Sequence, residues 1–376
     1  MPKKRVREYA VNLLMRMLKT YSPTGREAPL SQLLKNELQH QGFNAYIDEV
    51  GNAIGEHGSG ELTVLLCGHM DTVPGRLPIK IQDGIIYGRG AVDAKAPLAA
   101  LIVAASLLKN RAPFRLIVAG VIEEEGESLG IKHLIDRNVT ADYTIFGEPS
   151  GVGNINIAYK GSLHLKLKIR TQPGHSSAPW LHHNAVEDAF AIYQQIKEMT
   201  LEYKNEKSWF YSLTSSLTQI KGGSEFSTIP SRCTMHINMR IPPSISLSIV
   251  ITEVKHIIQK YETEGRVTVN LEVIDSCPSY EADKNSLLVR SIAYGIRQVT
   301  KNQAVLVRRT GSGDMNLFGS ARKTPIITYG PGDSHLDHTS NEQISIKDYI
   351  DSIQILYTGL MKLPEMHDRM RARKTS

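Results

Sequence analysis

Leu62-Thr63-Val64-Leu65-Leu66-Cys67 is a short, largely apolar run that breaks directly into Gly68-His69-Met70-Asp71-Thr72-Val73-Pro74. The run reads as a strand buried on both faces, because it offers no regular polar alternation to water. Downstream, Pro97 opens a helix over 97–109 that places Leu98, Leu101, Ile102 and Ala105 on one face. Residues 115–122, Arg115-Leu116-Ile117-Val118-Ala119-Gly120-Val121-Ile122, form a second buried strand, and 142–147 a third. Apolar strands alternating with helices predict an α/β unit with a parallel or mixed sheet.

The texture changes near Tyr159. Leu163, Leu165, Leu167 and Ile169 alternate with His164, Lys166, Lys168 and Arg170, the period of a half-buried strand with a cationic outer face. A helix at about 184–199, a strand at about 232–240 and a helix at about 246–260 complete a small α+β block with a one-sided sheet. The chain turns again at Ser276-Cys277-Pro278, and strand-like text returns at 304–307 and 325–329. The expected organisation is a discontinuous main domain, 1–158 and 276–376, interrupted by an inserted domain at 159–275.

A chain of 376 residues exceeds what one core usually serves, which agrees with two domains. Its 41% hydrophobic and 22% charged content is that of a soluble globular protein. No apolar run is long enough for a bilayer, so no membrane partner is expected. The basic start Met1-Pro2-Lys3-Lys4-Arg5 leads into a helix-periodic stretch broken by Arg16, an amphipathic helix in preference to an export signal. Cys67, Cys233 and Cys277 are odd in number and far apart, with no Cys-x-x-Cys pair. That argues against a disulfide scaffold or a thiolate zinc cluster and fits a reducing cytoplasm. The formal charge of +6 sits at the two ends, in Lys3, Lys4, Arg5 and Arg7 and again in Arg369, Arg371, Arg373 and Lys374. These read as solvated tails; no aromatic-basic motif accompanies them, and no nucleic-acid partner is expected.

Five segments carry candidate chemistry. In the first, His69 and Asp71 are two apart, so on an extended segment they face the same way, and a carboxylate can orient a metal-binding imidazole. The second is Tyr87-Gly88-Arg89-Gly90-Ala91-Val92-Asp93-Ala94-Lys95. Its glycines allow close backbone approach, and Asp93 is either a ligand or the N-cap of the following helix. The third, Glu123-Glu124-Glu125-Gly126, is either a solvated acidic loop or three carboxylates tolerated by a divalent cation. The fourth is Gly147-Glu148-Pro149-Ser150. The fifth, Asp333-Ser334-His335-Leu336-Asp337-His338-Thr339-Ser340-Asn341-Glu342, holds two histidines, either of which could be a surface residue. Together they form a His/carboxylate set without thiolate, suited to zinc, cobalt or manganese in an open catalytic site. Ser176 and Ser177 beside His175 lack the Gly-x-Ser-x-Gly elbow of a serine hydrolase.

In this order the five segments resemble the dinuclear zinc amidohydrolase and exopeptidase family, which includes acetylornithine deacetylase and succinyl-diaminopimelate desuccinylase. The resemblance spans nearly the whole chain. It implies an α/β, mixed-sheet catalytic domain of zinc-exopeptidase type with an inserted α+β lid and dimerisation domain, hence a homodimer. It implies two divalent metal ions, zinc first and cobalt as an alternative. His69 and Glu148 would hold one ion, Glu125 and His338 the other, and Asp93 would bridge them. His338 is preferred to His335 on the His-x-x-Asn-Glu spacing. The resemblance also makes Asp71 the partner of His69 and Glu124 the general base. It further implies a cis peptide at Asp93–Ala94. In the insertion, Gly174-His175-Ser176-Ser177 with Asn184-Ala185 matches the lid motif. It implies that His175 supports the oxyanion of a neighbouring site, and Arg240 matches a position that binds a substrate carboxylate. Ser227-Thr228 stands where the family often has Asn before Ile229-Pro230.

Tyr21-Ser22-Pro23-Thr24-Gly25-Arg26-Glu27, Ala158-Tyr159-Lys160-Gly161-Ser162 and Gly311-Ser312-Gly313-Asp314-Met315-Asn316 are, with Ala91-Val92-Asp93-Ala94-Lys95, similar to the amino-group carrier protein hydrolases. That similarity implies release of lysine or ornithine from the C-terminal glutamate of a small acidic carrier protein, in cytoplasmic lysine and arginine biosynthesis. The cationic strand face could dock such a carrier. The rival readings are acetylornithine deacetylase, the desuccinylase or a dipeptidase acting on a free small substrate, and a non-catalytic metal-binding protein on the same fold.

Overall fold

The computed structural model describes residues 3–262 and 267–375. The chain divides into two compact units. The first comprises Met1–Ala158, Ala282–Arg308 and Leu317–Ser376; the second comprises Tyr159–Glu281 and Arg309–Asn316.

The first unit is built on a mixed sheet. Four of its strands are parallel neighbours, in the order Phe114–Val121, Leu62–His69, Tyr143–Phe146 and Ile326–Thr328. Antiparallel strands flank them: Ala53–His57 and then Asn44–Ile47 on one side, and Asn154–Tyr159 on the other. The parallel strands read as continuous apolar text because both faces are covered: Val64 to Cys67 and Val118 to Val121 are buried throughout. The helix Lys95–Leu108 packs on the Leu62–His69 strand and on the C-terminal helix Ile346–Thr375. It begins two residues before Pro97 and is buried almost all round, as its Ala/Leu/Ile/Val content requires. Its first two turns sit so close to the strand ends that two positions there are crowded for a side chain. A Cβ on Gly147 would meet Leu101 at 2.8 Å, and one on Gly330 would meet Pro97 at 2.7 Å. A separate small sheet pairs Gln343–Ser345 with Ile85–Tyr87, and Ile85–Tyr87 with Lys80–Gln82.

The second unit is an antiparallel four-stranded sheet in the order Thr214–Gly222, Arg232–Ile241, Gly161–Arg170, Thr268–Cys277. The period-two pattern places Leu163, Leu165, Leu167 and Ile169 on one face, against helices Ala185–Glu202 and Leu247–Glu262. Asn184 caps the first helix, its side chain accepting from the Val186 N–H at 3.0 Å. On the opposite face His164, Lys166, Lys168 and Arg170 stand across from Asn238, His236, Thr234 and Arg232. Glu272 lies 3.9 Å from the Lys166 ammonium and 3.5 Å from that of Lys168. The strand pairing Cys277 with Ser162 runs through residue 275, so this sheet extends past the expected end of the insertion.

Candidate metal centre

The four parallel strands point the same way, so their C-terminal ends open on one edge of the sheet, where open α/β sheets place ligands. His69 ends its strand, Glu123–Glu125 follow Phe114–Val121, and Glu148 follows Tyr143–Phe146. His338 arrives after Ile326–Thr328, through Gly330-Pro331-Gly332 and the short turn Ser334–Leu336. Asp93 precedes the buried helix Lys95–Leu108, and the Asp93–Ala94 peptide is cis, as expected.

Two donor clusters result. His69, Asp93 and Glu148 form one and Asp93, Glu125 and His338 the other; within each, one ligand atom per residue lies within 4.8 Å of the rest. Asp93 belongs to both. Its Oδ1 is 3.2 Å from His69 Nε2, and its Oδ2 is 3.0 Å from His338 Nε2. His338 Nε2 is also 2.8 Å from Glu125 Oε1, and His69 Nε2 is 4.0 Å from Glu148 Oε1. One carboxylate therefore turns a separate oxygen toward each cluster, the arrangement a bridging ligand needs. His335 points elsewhere: its Nδ1 pairs locally with Asp333 at 2.7 Å.

Asp71 is fully buried and every oxygen is used. Oδ1 accepts from the Glu124 N–H at 3.1 Å and lies 3.3 Å from His69 Nδ1. Oδ2 accepts from the Thr24 hydroxyl at 2.9 Å and the Glu125 N–H at 3.1 Å. One side chain thus fixes both the imidazole and the acidic loop. His69 Nδ1 is 3.0 Å from the Asp71 carbonyl oxygen, which turns Nε2 toward Asp93 and Glu148.

Charge dominates this edge. Burial works against a protonated His69, but the Asp71 and Asp93 hydrogen bonds and the charges of Glu148 and Glu124 outweigh it and raise its pKa well above the usual imidazole value. The hydrogen bond to Asp93, opposed by burial and reinforced by Glu125, pushes His338 up to about 9. Burial favours a neutral Asp93, yet the bonds from His338 and His69 hold its carboxyl well below the usual range. Burial, and then the Asp93 charge, pushes Glu125 up. Carboxylates that hold protons on two imidazoles exert the same field on a cation. The donor set of two imidazoles and three carboxylates, without thiolate, fits two divalent ions.

His175 and Arg240 belong to the second unit. His175 is exposed, in the short ribbon Gly174–His175 paired with Thr228–Ile229, and its Nδ1 accepts from the Ser177 N–H at 3.2 Å. Arg240 donates to the Ser312 hydroxyl at 3.3 Å. Sequence reasoning assigned no part to Thr24, which holds Asp71, or to Lys95. The buried Lys95 ammonium donates to the carbonyls of Met17 at 3.1 Å and Thr20 at 2.7 Å, at the end of the first helix. Both residues lie inside recognisable motifs, Tyr21–Glu27 and Ala91–Lys95, but a motif shows where a residue sits in the chain and not what it touches.

The chain belongs to the peptidase family M20/M25/M40, whose model matches residues 65–362. Among its relatives, the LysW-lysine hydrolase of Deinococcus radiodurans is 30% identical over 94% of this chain and 97% of its own length. A protein of Thermococcus kodakarensis, provisionally named LysW-lysine/LysW-ornithine hydrolase, is 35% identical over 96% of this chain and 94% of its own. The fold matches that of the M20 family metallo-carboxypeptidase of Sulfolobus solfataricus with a TM-score of 0.76, at 20% identity, over 95% of this chain and 99% of that one.

Proposed function

We propose that the protein hydrolyses the amide joining lysine or ornithine to the C-terminal glutamate of an amino-group carrier protein, as a two-metal enzyme of lysine and arginine biosynthesis in the cytoplasm. Similarity to the LysW hydrolases over nearly the full length of both chains carries the substrate assignment. The Asp93 carboxylate shared by two donor clusters supports the chemistry. His69 and Glu148 would hold one ion and Glu125 and His338 the other, with Asp93 common to both clusters; zinc is the first choice and cobalt the alternative. The bound ions supply Lewis acidity, polarising the scissile carbonyl and making water nucleophilic near neutral pH.

The chain's own groups do the rest. Glu124 takes a proton from the attacking water and returns it to the departing α-amino group, so that water and amide become carboxylate and amine. Asp71 holds the Glu124 backbone, and thereby the base, in register with His69. His175, contributed by the other subunit of a homodimer, donates to the developing oxyanion. Arg240 pairs with the carboxylate of the released amino acid. The basic sheet face of Lys166, Lys168 and Arg170 steers an acidic carrier, with Glu272 offsetting part of its charge.

The test is amino-acid release by zinc- or cobalt-loaded protein from carrier-linked lysine and ornithine, compared with free acetylornithine. Release from the carrier that stops with chelator is the expected result. Release from acetylornithine alone would keep the metal chemistry and discard the carrier.

A further inference from the structure

Glu342 lies four residues beyond His338 and is almost fully buried. Its Oε1 accepts three backbone N–H groups: Gly90 at 2.9 Å, Val92 at 3.0 Å and Asp93 at 2.9 Å. Its Oε2 accepts from Arg89 Nη1 at 2.9 Å, and the same Nη1 donates to the Thr339 carbonyl oxygen at 3.1 Å. The Gly88 N–H donates to the Glu342 carbonyl oxygen at 3.2 Å, continuing the strand pairing of Gln343–Ser345 with Ile85–Tyr87. Segments about 250 positions apart are thus joined by one carboxylate. One carries Asp93, which belongs to both donor clusters, and the other carries His338.

We infer that Glu342, with Arg89 as its counter-ion, is a positioning residue that sets the Asp93 carboxylate against His338 and so governs metal uptake. The inference rests on the two-metal reading of the site. Three N–H donors converging on one oxygen fix the peptide planes from Gly90 to Asp93, and with them the direction in which Asp93 presents its two oxygens. An anion suits this place because charge-assisted hydrogen bonds are about twice as strong as neutral ones. A glutamine keeps an acceptor for the three N–H groups but turns its amide donors toward Arg89. An alanine leaves the three N–H groups without this acceptor. The two variants therefore grade the perturbation.

The test uses the full chain, stripped by chelator and titrated with Co2+, following heat and the visible absorption of the bound ion. Groups that orient metal ligands typically contribute about 10–100-fold to metal affinity. Glu342→Ala is expected to lower affinity roughly 100-fold, and Glu342→Gln and Arg89→Ala roughly 10-fold. The absorption band should change shape while the far-ultraviolet circular dichroism stays that of wild type. A merely structural contact would lower thermal stability and leave the band and the affinity alone. Wild-type affinity and an unchanged band in the folded variants would overturn the inference. If Glu342→Ala does not fold, Glu342→Gln decides it on the same readings. A wild-type chain that takes up no Co2+ would overturn the two-metal reading and this inference with it, a result distinct from variants that merely match wild type.

Discussion

Replacing Asp71 by alanine removes the acceptor of two backbone N–H groups, those of Glu124 and Glu125, and the partner of the Thr24 hydroxyl. A hydrogen bond to a charged group contributes about 1.5–3 kcal/mol, and a buried donor left unpaired costs about 1–3 kcal/mol. Two such N–H groups give about 3–6 kcal/mol locally. Glu124 and Glu125 are only partly buried, so water can replace some of the loss, and the low end, about 3 kcal/mol, is the working figure. At about 1.4 kcal/mol per factor of ten, this amounts to roughly a 100-fold loss of protection. Hydrogen exchange read by mass spectrometry on peptides covering residues 121–128 suits the question, because it reports local opening without assuming two-state unfolding of a two-unit chain. Wild type and Asp71→Ala are compared after chelation, so that metal uptake does not enter. Exchange should accelerate in this segment and remain unchanged in the strand Thr268–Cys277 of the second unit. Asp71→Asn should fall between, since one amide oxygen still serves one N–H. Wild-type exchange rates at 121–128 in a folded Asp71→Ala protein would refute the argument that this carboxylate holds the acidic loop.

Glu124→Gln should lower turnover by about 10²–10⁴ while both metal equivalents remain bound; loss of metal instead would move the base to a neighbouring glutamate. His338→Ala should reduce occupancy at one of the two sites, measured by metal analysis after dialysis, whereas His335→Ala should not; the reverse pattern would exchange their roles. Glu37 tests electrostatics away from the centre. Burial pushes its pKa up, but hydrogen bonds from Arg16 at 2.6 Å, Tyr9 at 2.8 Å and Gln41 at 3.1 Å outweigh burial and lower it. A depressed carboxylate contributes stability that is present above the unfolded pKa, about 4.3, and is lost as pH falls through the folded value. Arg16 is half exposed, so Glu37→Gln should cost only about 1 kcal/mol at neutral pH, and the gap in urea midpoints should close below about pH 4. A gap that is constant across this range would contradict the assignment.

The legible parts of the sequence were those whose physics is local. Leu62–Cys67 and 115–122 read as strands because burial on both faces leaves them apolar past Thr63 and Arg115, and the observed strands differ at their ends by one or two residues. The alternation at 163–170 survives intact, since a sheet covered on one face must alternate. The antiparallel strands Asn44–Ile47 and Ala53–His57 escaped notice, being short and mixed in polarity. The sharing of Asp93 between two ions was implied by the family resemblance and not by spacing. Only the fold shows that His69 and His338 approach different oxygens of one carboxylate.

The distribution of the donors along the chain also bears on how the centre is made. His69, Asp93, Glu125 and Glu148 come from the first stretch of the first unit, and His338 comes from the last, after the chain has left to build the second unit. The parallel pairing of Ile326–Thr328 with Tyr143–Phe146 returns the late segment to the correct edge of the sheet. It does not by itself fix the loop that follows, where His338 sits at φ 62, a left-handed conformation that costs a non-glycine residue of order 1–3 kcal/mol. Arg89 and Glu342 tie the segment that carries His338 to the one that carries Asp93. Metal binding should therefore be coupled to docking of the C-terminal segment: a chain whose late segment is displaced loses His338 from the second cluster and, with Glu342, the acceptor that orients Asp93 in the first.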